Sequence, residues 1–230
     1  MDIVSYRLES SLATITMDDG KVNALSLTMQ SQLQRALDRA QDDRAAVVLT
    51  GRPGVFSAGF DLRVIQAGGP EAATMVRGGF ELAERLLAFP APVVIACPGH
   101  AIAMAAFVLL SVDYRVGAAG AFKLTANEVA IGLTMPHAAI EICRQRLTPS
   151  HFHRAVVLAE VFSPEDAISA GFLDRVVLPG ELAQAARGAA EALASLHRAA
   201  HVATKLRTRE HTLRAIRAAI EADAAAFAGR

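Results

Sequence analysis

Between Val47 and Asp61 the chain reads Val-Val-Leu-Thr-Gly-Arg-Pro-Gly-Val-Phe-Ser-Ala-Gly-Phe-Asp, an apolar run that passes through Gly51, Gly54 and Gly59 to a carboxylate. Ala46 to Thr50 is uncharged and rich in β-branched residues, which suits a buried strand. The glycines that follow let the backbone approach its neighbours closely and offer N–H groups, not side chains, to whatever lies opposite. Donors of that kind, aimed at an oxygen where negative charge develops, form an oxyanion hole. The segment thus demands a fold that brings the end of a strand against a ligand.

Two β-like runs, Ile3 to Leu8 and Leu12 to Met17, read as a hairpin closed off by the turn residues Asp18-Asp19-Gly20. Ser26 is placed to cap a helix whose apolar face is Met29, Leu33, Ala36, Leu37 and Ala40. After the glycine loop, Glu71 to Ala88 has helical spacing and stops before Pro90 and Pro92. Val93 to Ala96 reads as a strand, Gly99-His100-Ala101 as a turn, and the small residues from Ile102 to Leu110 as a tightly packed helix. Val112 to Val116 and Phe122 to Leu124 are short strand candidates. Helices are predicted from Pro136 to Leu147, from Thr148 to about Leu158, and from Ser163 to Gly171. A strand at Arg175 to Val177 precedes two last helices, Glu181 to Leu196 and Thr208 to Phe227. Strands early and helices late predict one α/β body with a helical tail.

Composition removes several classes of function. Lys plus Arg equals Asp plus Glu at 23 each, and no stretch concentrates basic residues among aromatics, so nucleic-acid binding is not indicated. Apolar runs long enough to span a membrane are absent, and no secretory signal is readable at Met1 to Tyr6, giving a cytoplasmic expectation. Cys97 and Cys143 sit in apolar stretches and read as reduced, buried thiols. His151, His153, His197, His201 and His211 lack metal-ligand spacing; His137 suits a helix start. Ser57 lacks the Gly-x-Ser-x-Gly elbow of a serine hydrolase, and the glycines of 51–59 lack the ending of a P-loop.

Two stretches share one design, a strand, a glycine turn, then small residues. The first offers the N–H of Ala58, and the second that of Ala103 or Met104, with the positive end of a helix behind it. The same spacing also suits ordinary strand-to-helix turns.

Taken in order, Lys21-Val22-Asn23-Ala24-Leu25, Phe56-Ser57-Ala58-Gly59-Phe60-Asp61-Leu62, Pro92 to Ala96 leading to Gly99-His100-Ala101, Asp113, and Asn127 to Gly132 resemble the crotonase family, also called the enoyl-CoA hydratase/isomerase family. The resemblance spans residues 3–178. It implies a spiral of strand-strand-helix units over 1–178, a C-terminal helical region over 179–230 that makes trimers, and a homotrimer or dimer of trimers. It also implies an acyl-CoA thioester as ligand, with coenzyme A part of the substrate and no other cofactor or metal. The thioester oxygen would lie between the amides of Ala58 and Met104, the latter where the family usually has glycine. Lys21, Val22 and Ala24 would flank the pantetheine and adenine, and Ser57, Gly59, Phe60 and Asp61 the acyl side.

In hydratases of that family two glutamates hold a water molecule. The matching positions here are Phe107 and Glu128. Phenylalanine neither takes a proton nor orders water, whereas one carboxylate suffices to move a proton between two carbons of a conjugated enolate. The resemblance therefore points to a 3-enoyl-CoA to 2-enoyl-CoA isomerase with Glu128 as base, ahead of an enoyl-CoA hydratase of fatty-acid oxidation or a non-catalytic CoA-thioester-binding relative, and the wording of 127–136 is similar to plant-type peroxisomal isomerases. Apolar neighbours such as Phe60, Phe107, Val129 and Ile131 are expected to raise the Glu128 pKa. Lys21 suits a phosphate contact or plain solvation. Asp61 suits a tie within its own loop, and Lys205, Arg207 and Arg209 suit either phosphates or an amphipathic face.

Overall fold

In the computed structural model, which describes residues 2–228, the strands after the opening hairpin and before the last one are dealt alternately to two sheets. The chain opens with β1 (Val4–Glu9) and β2 (Leu12–Met17), an antiparallel hairpin pairing Val4 with Met17 and Glu9 with Leu12. Its two-residue turn places Ser10 at a positive φ of 56°, as tight hairpins require. Next comes α1 (Leu27–Asp42), capped by Ser26 and burying Met29, Leu33, Ala36, Leu37 and Ala40, the face its periodicity predicts.

The units that follow are β3 (Ala46–Thr50) and β4 (Gly54–Ser57) with α2 (Leu62–Ala67) and α3 (Gly69–Ala88); β5 (Val93–Cys97) and β6 (Gly99–Ile102) with α4 (Met104–Leu110); and β7 (Tyr114–Ala118) and β8 (Leu124–Thr125) with α5 (His137–Arg146). Each adds its first strand to a six-stranded sheet ordered β1-β2-β3-β5-β7-β9, where β9 is Arg175–Val177, and its second to a three-stranded sheet ordered β4-β6-β8. Every pairing beyond the hairpin is parallel. This is the α/β spiral of strand-strand-helix units. Helices α6 (Pro149–Val156) and α7 (Pro164–Ala170) lead into β9, and α8 (Leu182–Ala194) and α9 (Arg198–Ala228) are the last elements among the described residues.

Four local expectations change. Gly99-His100-Ala101 forms β6, not a turn, and Gly54–Ser57 is a strand within the expected loop. The cause is a backbone approach invisible to local pattern: a Cβ on Gly99 would lie 2.0 Å from the Gly54 carbonyl oxygen. Residues 62–67 form α2, and α9 begins ten residues before the predicted Thr208.

Two apolar clusters hold the layers. The larger takes in the two sheets' facing sides, α1, α3, α4, α5 and, from α9, Leu213, Ile216, Ala219 and Ile220. The smaller packs Leu182, Ala186 and Ala190 of α8 on Val94, Ala96 and Val116 across the outer face of the larger sheet. Near the far end of α9, Asp223 accepts the N–H groups of His137 and Ala138 at 2.9 Å each, capping α5.

Candidate active site

The three strands of the small sheet end together. Ser57 pairs with Ala101 and Ala101 with Leu124, so Ala58-Gly59-Phe60, Ala103-Met104 and Ala126-Asn127-Glu128 all emerge past the same carboxyl edge. Ligands of parallel sheets bind at such edges, where loops from neighbouring strands converge.

The first loop is tied to the segment before α1. Asn23, fully buried at a positive φ of 52°, donates through Nδ2 to the carbonyls of Met17 at 3.0 Å and Phe56 at 3.2 Å. Asp19 gathers the N–H groups of Lys21, Asn23 and Ala24 on its carboxylate. Ser57 Oγ donates to the Asn23 carbonyl at 2.7 Å and accepts the Gly59 N–H at 3.1 Å, while the Leu25 N–H donates to the Gly59 carbonyl at 2.8 Å. Asn23, inside the first quoted motif, and Asp19, in the turn before it, are positioning residues to which the sequence reading gave no site role; the Asp-x-x-x-Asn spacing just before the capping serine is the signal that links them.

Ala58 departs from the expectation. Its N–H already donates to the Val22 carbonyl at 3.0 Å, so it faces the neighbouring segment and not a ligand. Two residues on, the Phe60 N–H has no acceptor among the described residues. Met104 is the first residue of α4 and has no helical carbonyl one turn back. The two loops touch: a Cβ on Gly59 would lie 2.8 Å from the Ile102 carbonyl oxygen and 3.2 Å from the Met104 nitrogen. Ala103 turns the chain there at a positive φ of 54°, unusual for a residue with a Cβ.

Ser57 is fully buried, a loop tie rather than a ligand-facing residue. Asp61 caps α2 through the Arg63 N–H and pairs with the Arg63 guanidinium at 2.8 Å, the tie predicted for it. Lys21 and Val22 are exposed, and Ala24 is partly buried beside them. Phe107 is 1% exposed, stacked on Phe80 with ring centres 6.1 Å apart, and Phe60 meets Phe80 edge-on at 6.3 Å.

Glu128 lies three residues past Thr125, whose carbonyl accepts the Ala103 N–H at 2.9 Å. The residue is 7% exposed, and its carboxyl Oε2 is buried without a hydrogen-bond partner among the described residues. Burial lifts its pKa from 4.5 to about 7, with its own backbone N–H pulling the other way. Cys143, on α5, is close enough for the Glu128 charge to help burial hold its thiol protonated. Val129 and Ile131 do not wall the carboxyl as expected; they are 45% and 47% exposed.

The basic residues of α9 go elsewhere. Lys205 is buried and donates to the carbonyls of Phe89 and Ala91 and, at 2.7 Å, to Asp113; Arg209 donates to the Leu87 carbonyl and pairs with Asp113 at 3.0 Å. They close the carboxyl end of α3. Among the described residues no cluster of His, Cys, Asp or Glu could hold a metal ion, and no helix is long and apolar enough to cross a membrane.

Free backbone amides beside a buried, protonatable carboxylate on a strand-strand-helix spiral define a class of enzymes that activate carbonyl compounds. Residues 7–229 match the enoyl-CoA hydratase/isomerase family, and the chain belongs to that family of enzymes. It is similar to the structure of an enoyl-CoA isomerase from Mycobacterium tuberculosis, with 52% identity, coverage of 97% of this chain and 98% of that one, and a TM-score of 0.94. An enoyl-CoA hydratase structure from Mycobacterium marinum shares 50% identity over 98% of this chain and all of that one, with a TM-score of 0.95. A probable enoyl-CoA hydratase of Mycobacterium avium is 29% identical over 181 residues, 77% of this chain and 70% of the relative.

Proposed function

We propose that the protein is an acyl-CoA double-bond isomerase converting 3-enoyl-CoA to 2-enoyl-CoA. The observation that carries this reading is a single buried carboxylate, Glu128, at the strand edge, with Phe107 filling the place of a second. The thioester oxygen accepts from the amides of Phe60 and Met104, which polarises the carbonyl and acidifies C2. The Glu128 carboxylate takes a C2 proton, the electron pair spreads from the enolate oxygen to C4, and the resulting carboxylic acid returns the proton to C4. The double bond moves from C3–C4 to C2–C3 with no net gain of atoms. A carboxyl near pH 7 suits both halves, since base and acid are then of similar strength at neutral pH. Phe107 and Phe80 keep water from the enolate.

Lys21, Val22 and Ala24 are proposed to border coenzyme A, which is part of the substrate; no further cofactor enters. The plant-type likeness of 127–136 and a cytoplasmic address belong to the same reading. So does assembly as a trimer or dimer of trimers through residues 179–230, which light scattering would test. Hydration of 2-enoyl-CoA is the second reading, supported by the names of two of the relatives above. Purified protein given a 3-enoyl-CoA should generate the conjugated thioester absorbance, and given a 2-enoyl-CoA should leave it undiminished. Hydration without isomerisation refutes the proposal.

A further inference from the structure

The Phe60 ring occupies a niche that exists because residue 79 has no side chain. A Cβ on Gly79, in the buried face of α3, would lie 2.5 Å from both Cε1 and Cζ of Phe60 and 3.5 Å from Cγ of Met104. Phe60 is thus the partly exposed end of an aromatic column, Phe60 on Phe80 on Phe107, whose other two rings are 1% exposed. Met104, fully buried, fills the gap between the column and the second loop. The backbone of Phe60 and the backbone of Met104 present the candidate amides, so their side chains stand beside whatever extends from the carbonyl carbon.

On these grounds we infer that Phe60, seated against Gly79, sets the acyl-length limit of the site and makes it selective for short-chain acyl thioesters. The inference rests on the placement of the thioester carbonyl at Phe60 and Met104. Apolar chain beyond the first few carbons meets a filled aromatic interior, and a close-packed interior does not yield without cost. Short acyl groups end before it. Glycine at position 79 sets how far the ring recedes; an added methyl group there would drive the ring outward and shorten the space left for the acyl group, because the clash is with a side chain end and not with backbone.

The test compares wild type, Phe60→Ala and Gly79→Ala in two assays. Calorimetric binding of saturated butyryl-, octanoyl- and dodecanoyl-CoA needs no turnover, and kcat/KM over hex-3-enoyl- to dodec-3-enoyl-CoA reads the proposed reaction. Wild type should favour the short ligands by at least about tenfold in both assays. Phe60→Ala keeps the backbone N–H and should move the preference to longer chains. Gly79→Ala, in a helix interior that tolerates alanine, should weaken the longest accepted chain first. Equal affinity for all lengths in wild type, or a uniform loss in Phe60→Ala, overturns the inference. Short-chain binding without isomerisation would instead overturn the proposed reaction and leave the inference standing.

Discussion

The Ala103 N–H donates to the Thr125 carbonyl at 2.9 Å, and this bond fixes the turn before Met104 to the end of the strand three residues before Glu128. One partner precedes the second amide and the other precedes the base by three residues, so the two segments leave the sheet in a fixed register. A proton donor and acceptor that must alternate within one turnover gain from such stiffness.

Glu128→Gln should abolish isomerisation while leaving acyl-CoA affinity within a few-fold, as measured by steady-state kinetics and calorimetry. It should also stabilise the protein above pH 7. The folded pKa is raised, so the native state holds its proton more tightly than the unfolded chain between pH 4.5 and about 7, and stability present below 4.5 is lost as pH rises through 7. Removing the charge recovers up to about 3 kcal/mol at pH 8. Thermal melts at pH 8 and pH 5 check the sign; an equal shift at both would contradict it.

Phe107→Glu will not simply install a second water-holding carboxylate. The site is inside an aromatic stack with Phe80, and an unpaired charge there adds to the loss of packing. The variant should lose at least about 3 kcal/mol in urea unfolding. A stable Phe107→Glu protein with hydratase activity would show that the column opens readily.

Asn23→Ala removes two bonds to buried carbonyls and leaves alanine at a positive φ. About 2 kcal/mol or more of stability should go. Alanine keeps the backbone carbonyl that accepts from Ser57 but loses the side-chain ties to Met17 and Phe56 that hold this segment against the Ser57–Gly59 loop, so the KM for acyl-CoA should rise as well. A stability loss with unchanged KM would separate the anchor from the site.

Local pattern reached much of this molecule. The hairpin, α1 with its buried face, β3, β9 and the Ser163 cap were legible because each depends on residues within a turn or two of one another. Strands β4 and β6 were not, since what makes them strands is a glycine-to-glycine approach between residues 45 positions apart. The same limit explains Ala58. Its sequence neighbours advertise a free amide, but Val22, brought in from before α1, has already taken it, and only the folded chain reveals that Phe60 carries the unpaired one. Glu128 was legible through resemblance, and the raised pKa expected of it is present, whereas its surroundings were misread in part, because Val129 and Ile131, adjacent in sequence, are exposed while α5, distant in sequence, brings Cys143 near.

Lys205→Met distinguishes a structural cation from a phosphate ligand. The ammonium spends its donors on the Phe89 and Ala91 carbonyls and on Asp113, all within the same chain. Methionine fills similar volume but leaves Asp113 with Arg209 as its one remaining cation beside the Val93 N–H, and both carbonyls without the ammonium. Breaking one side of a buried pair costs about 3–5 kcal/mol, so the melting temperature should fall steeply. At temperatures where the variant remains folded, its KM for acyl-CoA should match wild type. A large rise in KM with little change in melting temperature would mean that Lys205 meets the phosphates of coenzyme A after all.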